Sequence, residues 1–407
     1  MKQYQHPAFS GYGVEIEYMI VDAQTLNVVP IADQLLDLVG GAEDMDVDRG
    51  EAAWSNELAL HVIEVKTNGP CADLSAGRRV FVQQVEEING LLAPLGACLM
   101  PGGMHPWMDP LKETRLWPHQ NQLIYNTFDR IFGCRGHGWS NLQSTHINFP
   151  FSTPEEFEAL HAACRFVLPL IPALAASSPY FSGRRGPGLS TRLLVYRKNC
   201  SRVPSVAGVV VPERVYTEEG YQALLEGIYK DLKPYDPQGI LAEEWVNARG
   251  CIARFDRGAI EIRLIDAQES PGQDLSVVAF VTALVQALFE GSVCALEELK
   301  KWDEKPLSEL LLSTAVQGRA APATEGYAAA WGSKQNTMGG LVKELAHRFK
   351  VGSGFSAGVD LIIEEGPLAE RLVRAAGAEP SFEVLENTYR QLCSCLAEDR
   401  PFEVSAS

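Results

Sequence analysis

The chain is poor in positive charge and lacks the common motifs that hold phosphate or metal. Lysine and arginine number 35 against 52 aspartates and glutamates, a formal charge of −17 over 407 residues. A surface of that sign repels phosphate backbones and anionic bilayers, so neither nucleic acid nor a membrane is expected as a partner. No stretch approaches the roughly 18 uninterrupted apolar residues of a bilayer span. The most apolar one, 277–289, is broken by Thr282 and Gln286 and reads as a buried helix. The opening residues, MKQYQHPAFSGYG, lack the apolar centre of a secretory signal. The nine cysteines are scattered without a CxxC pair, which leaves a zinc ribbon or disulfide framework unsupported and suits reduced thiols in the cytoplasm. A Walker A loop and a GxGxxG turn are both missing, so any nucleotide is held without the usual glycine-rich cradle. Internal repeats, low-complexity runs and Ser/Gly linkers are absent as well.

What is present is an ordinary globular composition, 46% apolar and 21% charged, on a chain long enough for two or three units of about 150 residues or one elaborated one. Residues 13–22, GVEIEYMIVD, alternate as a strand, followed by a helix near 31–39. Residues 56–65 again read as extended, and Asn68-Gly69-Pro70 ends them. Asp73 is placed to cap a long helix running to about Leu92. Residues 142–151, LQSTHINFPF, read as a strand, and Thr153-Pro154-Glu155-Glu156 opens the next helix. Strands at 251–255 and 259–265 flank a tight turn at Asp256-Arg257-Gly258. From Asp274 onward the pattern is mostly helical. Strands first and helices last predict an α+β protein with a mixed or antiparallel sheet and helices packed on one side.

The informative feature is acid inside apolar strands. In GVEIEYMI, Glu15 and Glu17 share the face opposite Val14, Ile16, Tyr18 and Ile20. Carboxylates about 6–7 Å apart on one strand face repel unless a cation lies between them; a solvent-facing strand is the plain alternative. In NELALHVIEVKT, Glu57 and Glu64 are an odd seven positions apart, so one regular strand points them to opposite faces and a shared site needs a bulge or bend. Glu261 and Arg263 share a face of the strand AIEIRLID, where burial calls for an internal ion pair or a ligand. His146 stands mid-strand, as a core histidine or as a metal ligand beside the carboxylates. Taken together, acidic strands, one central histidine and several arginines suit a metal–polyphosphate and an acidic substrate, because hard divalent ions take oxygen ligands and arginine binds carboxylate or phosphate bidentately.

In order and spacing, G-V-E-I-E-Y-M-I-V-D, N-E-L-A-L-H-V-I-E-V-K-T-N, S-T-H-I-N-F, L-A-A-S-S-P-Y-F-S-G and A-R-F-D-R-G-A-I-E-I-R-L-I-D-A resemble the glutamate–cysteine ligases and related carboxylate–amine ligases, which share a fold with glutamine synthetase and guanidino kinases. The resemblance implies a curved, mainly antiparallel sheet forming a half-open cleft, with helices on its outer face. It further implies ATP and Mg²⁺ or Mn²⁺ as cofactors, and Glu15, Glu17, Glu57, Glu64, His146 and Glu261 as metal ligands. Arg263 then lies near the transferred phosphate with Glu261 in the catalytic centre, Arg254 contacts nucleotide, and Arg192 and Arg197 contact substrate.

The implied activity is ATP-dependent amide formation on the γ-carboxylate of glutamate through an acyl phosphate, with an unidentified amine as acceptor. A phosphoryl-transfer enzyme of the same fold and a non-catalytic nucleotide- or amino-acid-binding member are the alternatives. Ile16 stands where such ligases often carry a further acid, and the 182–208 loop is unusually rich in arginine. The expected layout is a catalytic region at 1–300 and a helical extension at 301–407 packed on the same domain, which caps the site, makes a homodimer contact or receives a partner.

Overall fold

A computed structural model describes residues 4–41 and 46–404. Its sheet is assembled around β1 (Gly13–Asp22). Val14, Ile16, Tyr18 and Ile20 are each at most 1% exposed and fill the core, while strand alternation turns Glu15 and Glu17 to the other face. The remaining strands are β2 (Asp46–Arg49), β3 (Ala52–Asn56), β4 (Val62–Thr67), β5 (Ala97–Met100), β6 (Ser144–Pro150), β7 (Cys251–Arg254) and β8 (Ala259–Asp266). They run in the order β2-β3-β4-β1-β6-β8-β7, with β5 also paired to β1, and every pairing is antiparallel. The register between β8 and β6 shifts between Ile262 and Ile265, an irregularity of the kind that bends a sheet and re-aims a side chain. Arg263 lies within it.

One expectation fails in an informative way. Residues 56–65 are not a single extended run; they contain the turn between β3 and β4. Leu58, Ala59 and Leu60 are buried, so the turn is as apolar as a strand and its pattern reads as one. The hairpin from β7 to β8 does form, closed by Gly258 at φ +65°, where a side chain would also meet the Tyr4 ring.

The helices that position the site are α1 (Ala32–Asp37), α2 (Leu74–Leu92), α3 (Gln122–Phe132), α4 (Pro154–Val167), α5 (Thr191–Tyr196), α6 (Pro271–Phe289), α7 (Ser353–Glu365), α8 (Leu368–Ala376) and α9 (Phe382–Ala397). Asp73 caps α2 by accepting from the Ser75 amide, and Thr153 caps α4 by accepting from the Glu156 amide. Such caps contribute about 1 kcal/mol each. Helix α6 packs against α2, α4 and α7. Segments 154–175 and 271–289 are long and apolar enough to cross a bilayer, yet 89% and 83% of them are buried inside the protein, which explains their apolarity as core. After residue 300 the chain is helical. Leu307, Leu341 and Ile362 join the main core, whereas α8 and α9 form a smaller cluster against Met19, Val21 and Met100.

Asp274, in the first turn of α6, accepts hydrogen bonds from the Thr145 hydroxyl and the Gln268 amide. Burial raises its carboxyl to about 8. The folded protein therefore keeps a proton that the unfolded chain releases near pH 4. That contribution to stability is complete below about pH 4 and is lost as pH rises through about 8. Asp274→Asn keeps the Oδ1 acceptor and should flatten this part of the stability–pH curve; thermal melts across a pH series that keep the wild-type slope would refute the assignment.

Candidate active site

Antiparallel register assembles the site. Across β3, β4 and β1, Ser55 faces Glu64 and Glu64 faces Glu17. In the adjacent row Lys66 faces Glu15, and Glu15 faces His146 on β6. Glu261 on β8 faces Asn148. Directly opposed residues share a sheet face, so acids more than 200 positions apart in sequence meet on one surface. Glu57 reaches them from the β3–β4 turn, and this resolves its odd spacing from Glu64. The result is two sets of potential ligand atoms, each lying within 4.8 Å: Glu15, Glu64 and His146, and Glu17, Glu57 and Glu64. Glu64 belongs to both.

The surrounding bonds fix these side chains. Glu17 accepts from the Ser144 amide at 2.7 Å. The Ser144 hydroxyl also lies 2.9 Å from His146 Nε2. Asn148 donates to Glu15 at 3.1 Å and Ser55 to Glu64 at 2.6 Å. His146 Nδ1 is 3.2 Å from Glu15 and 3.7 Å from Glu261. Glu261 stands apart from the two ligand sets: Arg263 binds it at 2.6 and 3.0 Å, with Arg254 at 3.7 Å. Of the six residues expected to bind metal, five interlock; the sixth is held by arginines.

Burial and mutual repulsion govern ionisation here. Burial, then the charges of Glu17 and Glu64, push the Glu57 carboxyl well above its usual range. Burial and the Glu15 charge raise Glu64 to about 7. Burial acts against protonated His146, but the Glu15 hydrogen bond and the charges of Glu261 and Glu17 outweigh it and raise the imidazole to about 9. Burial likewise opposes ionised Glu15, yet His146, Lys66 and Arg257 hold its carboxyl well below the usual carboxylate range. The upward shifts of Glu57, Glu64 and His146 mark a cluster short of positive charge. Carboxylate oxygens with one imidazole, drawn together around a shared Glu64, are a donor set that fits a hard divalent ion.

The cluster lines a cleft of about 550 Å³. Arg254, Arg257 and Arg263 line it too, Arg257 with Nη1 3.6 Å from Glu15. Arg192 also reaches the cleft wall, but its guanidinium is engaged: it pairs with Asp266 at 3.3 Å and donates to the Arg263 and Leu264 carbonyls. Its guanidinium is thus bonded beneath Arg263 at the cleft wall. Arg197 is exposed and is not part of the cleft lining. Five residues along a helix is about 140° of rotation, so Arg197 leaves the face that Arg192 and Tyr196 share. Lys66, Arg257, Ser144 and Asn148 were not singled out from sequence. Lys66 had a signal, being two positions beyond Glu64 on the same strand face; Arg257 lies in a turn and has none.

A divalent ion must displace the protons on this cluster. Binding of Mg²⁺ or Mn²⁺ should therefore release protons near neutrality and tighten as pH rises from about 6 through about 9. Calorimetry in buffers of different ionisation enthalpy measures the release, and a buffer-independent heat would contradict it. Glu64→Gln, which removes the ligand common to both sets, should weaken affinity about tenfold or more.

The model of the glutamate–cysteine ligase family 2 matches residues 12–384, so it runs well into the helical region that short motifs left unassigned. An uncharacterized protein of Archaeoglobus fulgidus is 33% identical over 96% of this chain and 99% of its own length. A provisionally named glutamate–cysteine ligase 2 of Sorangium cellulosum is 27% identical, over 46% of this chain and about half (47%) of its own length. The crystal structure of glutamate–cysteine ligase from Francisella tularensis in complex with AMP aligns with a TM-score of 0.65, at 12% identity, over 100% of this chain and 91% of that one; this is a likeness of fold. With the family model matched over nearly its whole length, the chain belongs to the glutamate–cysteine ligase family 2.

Proposed function

We propose that the protein is an ATP-dependent carboxylate–amine ligase that activates the γ-carboxylate of glutamate as an acyl phosphate and joins it to an amine. The observation that carries this reading is the convergence of Glu15, Glu17, Glu57, Glu64 and His146 with Arg254, Arg257 and Arg263 in one cleft, in a chain of this family. Glu15, Glu17, Glu57, Glu64 and His146 would hold Mg²⁺ or Mn²⁺, which when bound offsets charge between the triphosphate and the approaching carboxylate.

The chain's own cations supply the rest. Arg263, bonded to Glu261 and supported from behind by Arg192, is placed to follow charge as the γ-phosphoryl group moves to the carboxylate oxygen and ADP leaves. Arg254 and Arg257 neutralise the polyphosphate. The amine then attacks the acyl carbon, loses its proton, and expels phosphate to leave the amide. No nucleophilic side chain is needed, and among the described residues no cysteine lines the cleft. Positioning and preorganised charge account for most of the rate effect in such a site.

ADP release that requires both glutamate and an amine, with an amide product identified by mass, is the expected result. ADP formation independent of any amine, with a stable phosphorylated product, would favour phosphoryl transfer instead. Arg263→Ala should lower kcat by about 10²–10³ while changing the KM for ATP only a few-fold; an unchanged kcat would remove Arg263 from the mechanism. Glu261→Ala should abolish turnover with the fold intact, as judged by circular dichroism.

A further inference from the structure

The cleft leaves the carboxylate cluster toward two chemically different surroundings. Glu15, Lys66 and Arg257 also line an adjoining cavity of about 390 Å³ backed by Thr67, Asn68 and Gly69. That side offers Arg257 and Lys66, the latter paired with Asp46 on the same wall, and cations of this kind favour a polyphosphate. The main cleft is walled elsewhere by Ile124, Tyr125 and Phe128 of α3 together with Trp139, Leu142 and Trp245. The Phe128 ring lies 5.2 Å from Trp139 and 5.9 Å from Trp245, centre to centre, so the three form a continuous aromatic panel. Tyr125 is tied to the acidic end, its hydroxyl 3.0 Å from the side-chain amide of Asn56, the residue before Glu57. The buried Trp139 Nε1–H has no hydrogen-bond partner among the described residues, whereas buried indole N–H groups usually find one.

Such a wall is built for a ligand with matching apolar surface. Glutamate brings two methylenes, and a cysteine acceptor one methylene and a thiol; neither covers the panel. We infer that the aromatic lobe receives the acceptor, and that the acceptor is a primary amine carrying an aromatic or large apolar group. This rests on the ligase reading. The apolar group of that molecule packs along the half-buried Ile124, Tyr125 and Trp245 in front of Phe128, and its amine faces the acyl carbon at the border between lobe and cluster.

The test uses the full chain with ATP, Mg²⁺ and glutamate and compares three nucleophiles: hydroxylamine, cysteine and phenylethylamine. Hydroxylamine is small enough to trap the acyl phosphate without using the lobe. The expected result is hydroxamate formation, with kcat/KM at least tenfold higher for phenylethylamine than for cysteine. Phe128→Ala should lower the phenylethylamine reaction relative to hydroxamate formation by at least tenfold. Ile124→Trp, which fills the lobe instead of emptying it, should do the same and guards against a folding defect in the first variant. Equal or better use of cysteine overturns the inference. So does a Phe128→Ala variant whose defect is a raised KM for ATP in the hydroxylamine assay, because that places the adenine base in the lobe. Absence of hydroxamate from the wild-type protein overturns the ligase reading itself, and the inference with it.

Discussion

Carboxylates crowded on one buried sheet face repel each other, and much of this structure answers that repulsion. Glu15, Glu17, Glu57, Glu64 and Glu261 are too close and too dry to be ionised together without compensation. Compensation comes from His146 at the centre, Lys66 and Arg257 at one edge, Arg254 and Arg263 at the other, and from the raised proton affinity of Glu57 and Glu64. Such an arrangement is a poor device for stability. It is a good one for receiving a cation and a charged substrate, because the repulsion is relieved when they bind.

The sheet can hold these groups only if its other face is firmly packed. The inward side chains of β1 meet a layer that includes α2, α4 and α6, and Asp274 of α6 accepts a hydrogen bond from Thr145, next to His146. The end of β8 is pinned by a buried network in which Asp266 accepts from the Ser177 amide and the Ser178 and Ser190 hydroxyls and pairs with Arg192. That network sits three residues past Arg263, and Arg192 within it donates to the Arg263 carbonyl. Farther out, Arg371 on α8 pairs with buried Glu269, so the C-terminal helices are bonded to the segment linking β8 to α6. Removing one partner of such a pair typically costs about 3–5 kcal/mol.

Part of this was legible before folding. The two-residue period of β1 announced both its core face and its Glu15/Glu17 face, and the caps at Asp73 and Thr153 marked helix starts through local hydrogen bonds that any context preserves. The β3–β4 hairpin was not legible, because its turn is buried and apolar. Strands β2 and β5 are only four residues each, too short for alternation to stand out. Helix α3 carries the aromatic wall, yet its place over the cleft depends on contacts far along the chain. The pairing of Arg192 was not legible, because its partner, Asp266, is 74 positions away.

The sequence by itself determined which residues carry charge, which strands bear them on an alternating face, and which family the arrangement resembles, since these follow from covalent order and from a period of two. Tertiary structure alone decided how Glu57 and Glu64 come to meet, that Glu261 is held by arginines, and that Arg192 is bonded beneath Arg263 while Arg197 turns away. Those outcomes depend on register and on turns. A one-residue change in either sends a side chain to the opposite face, and the energy that selects the register is long-range packing of the core behind the sheet.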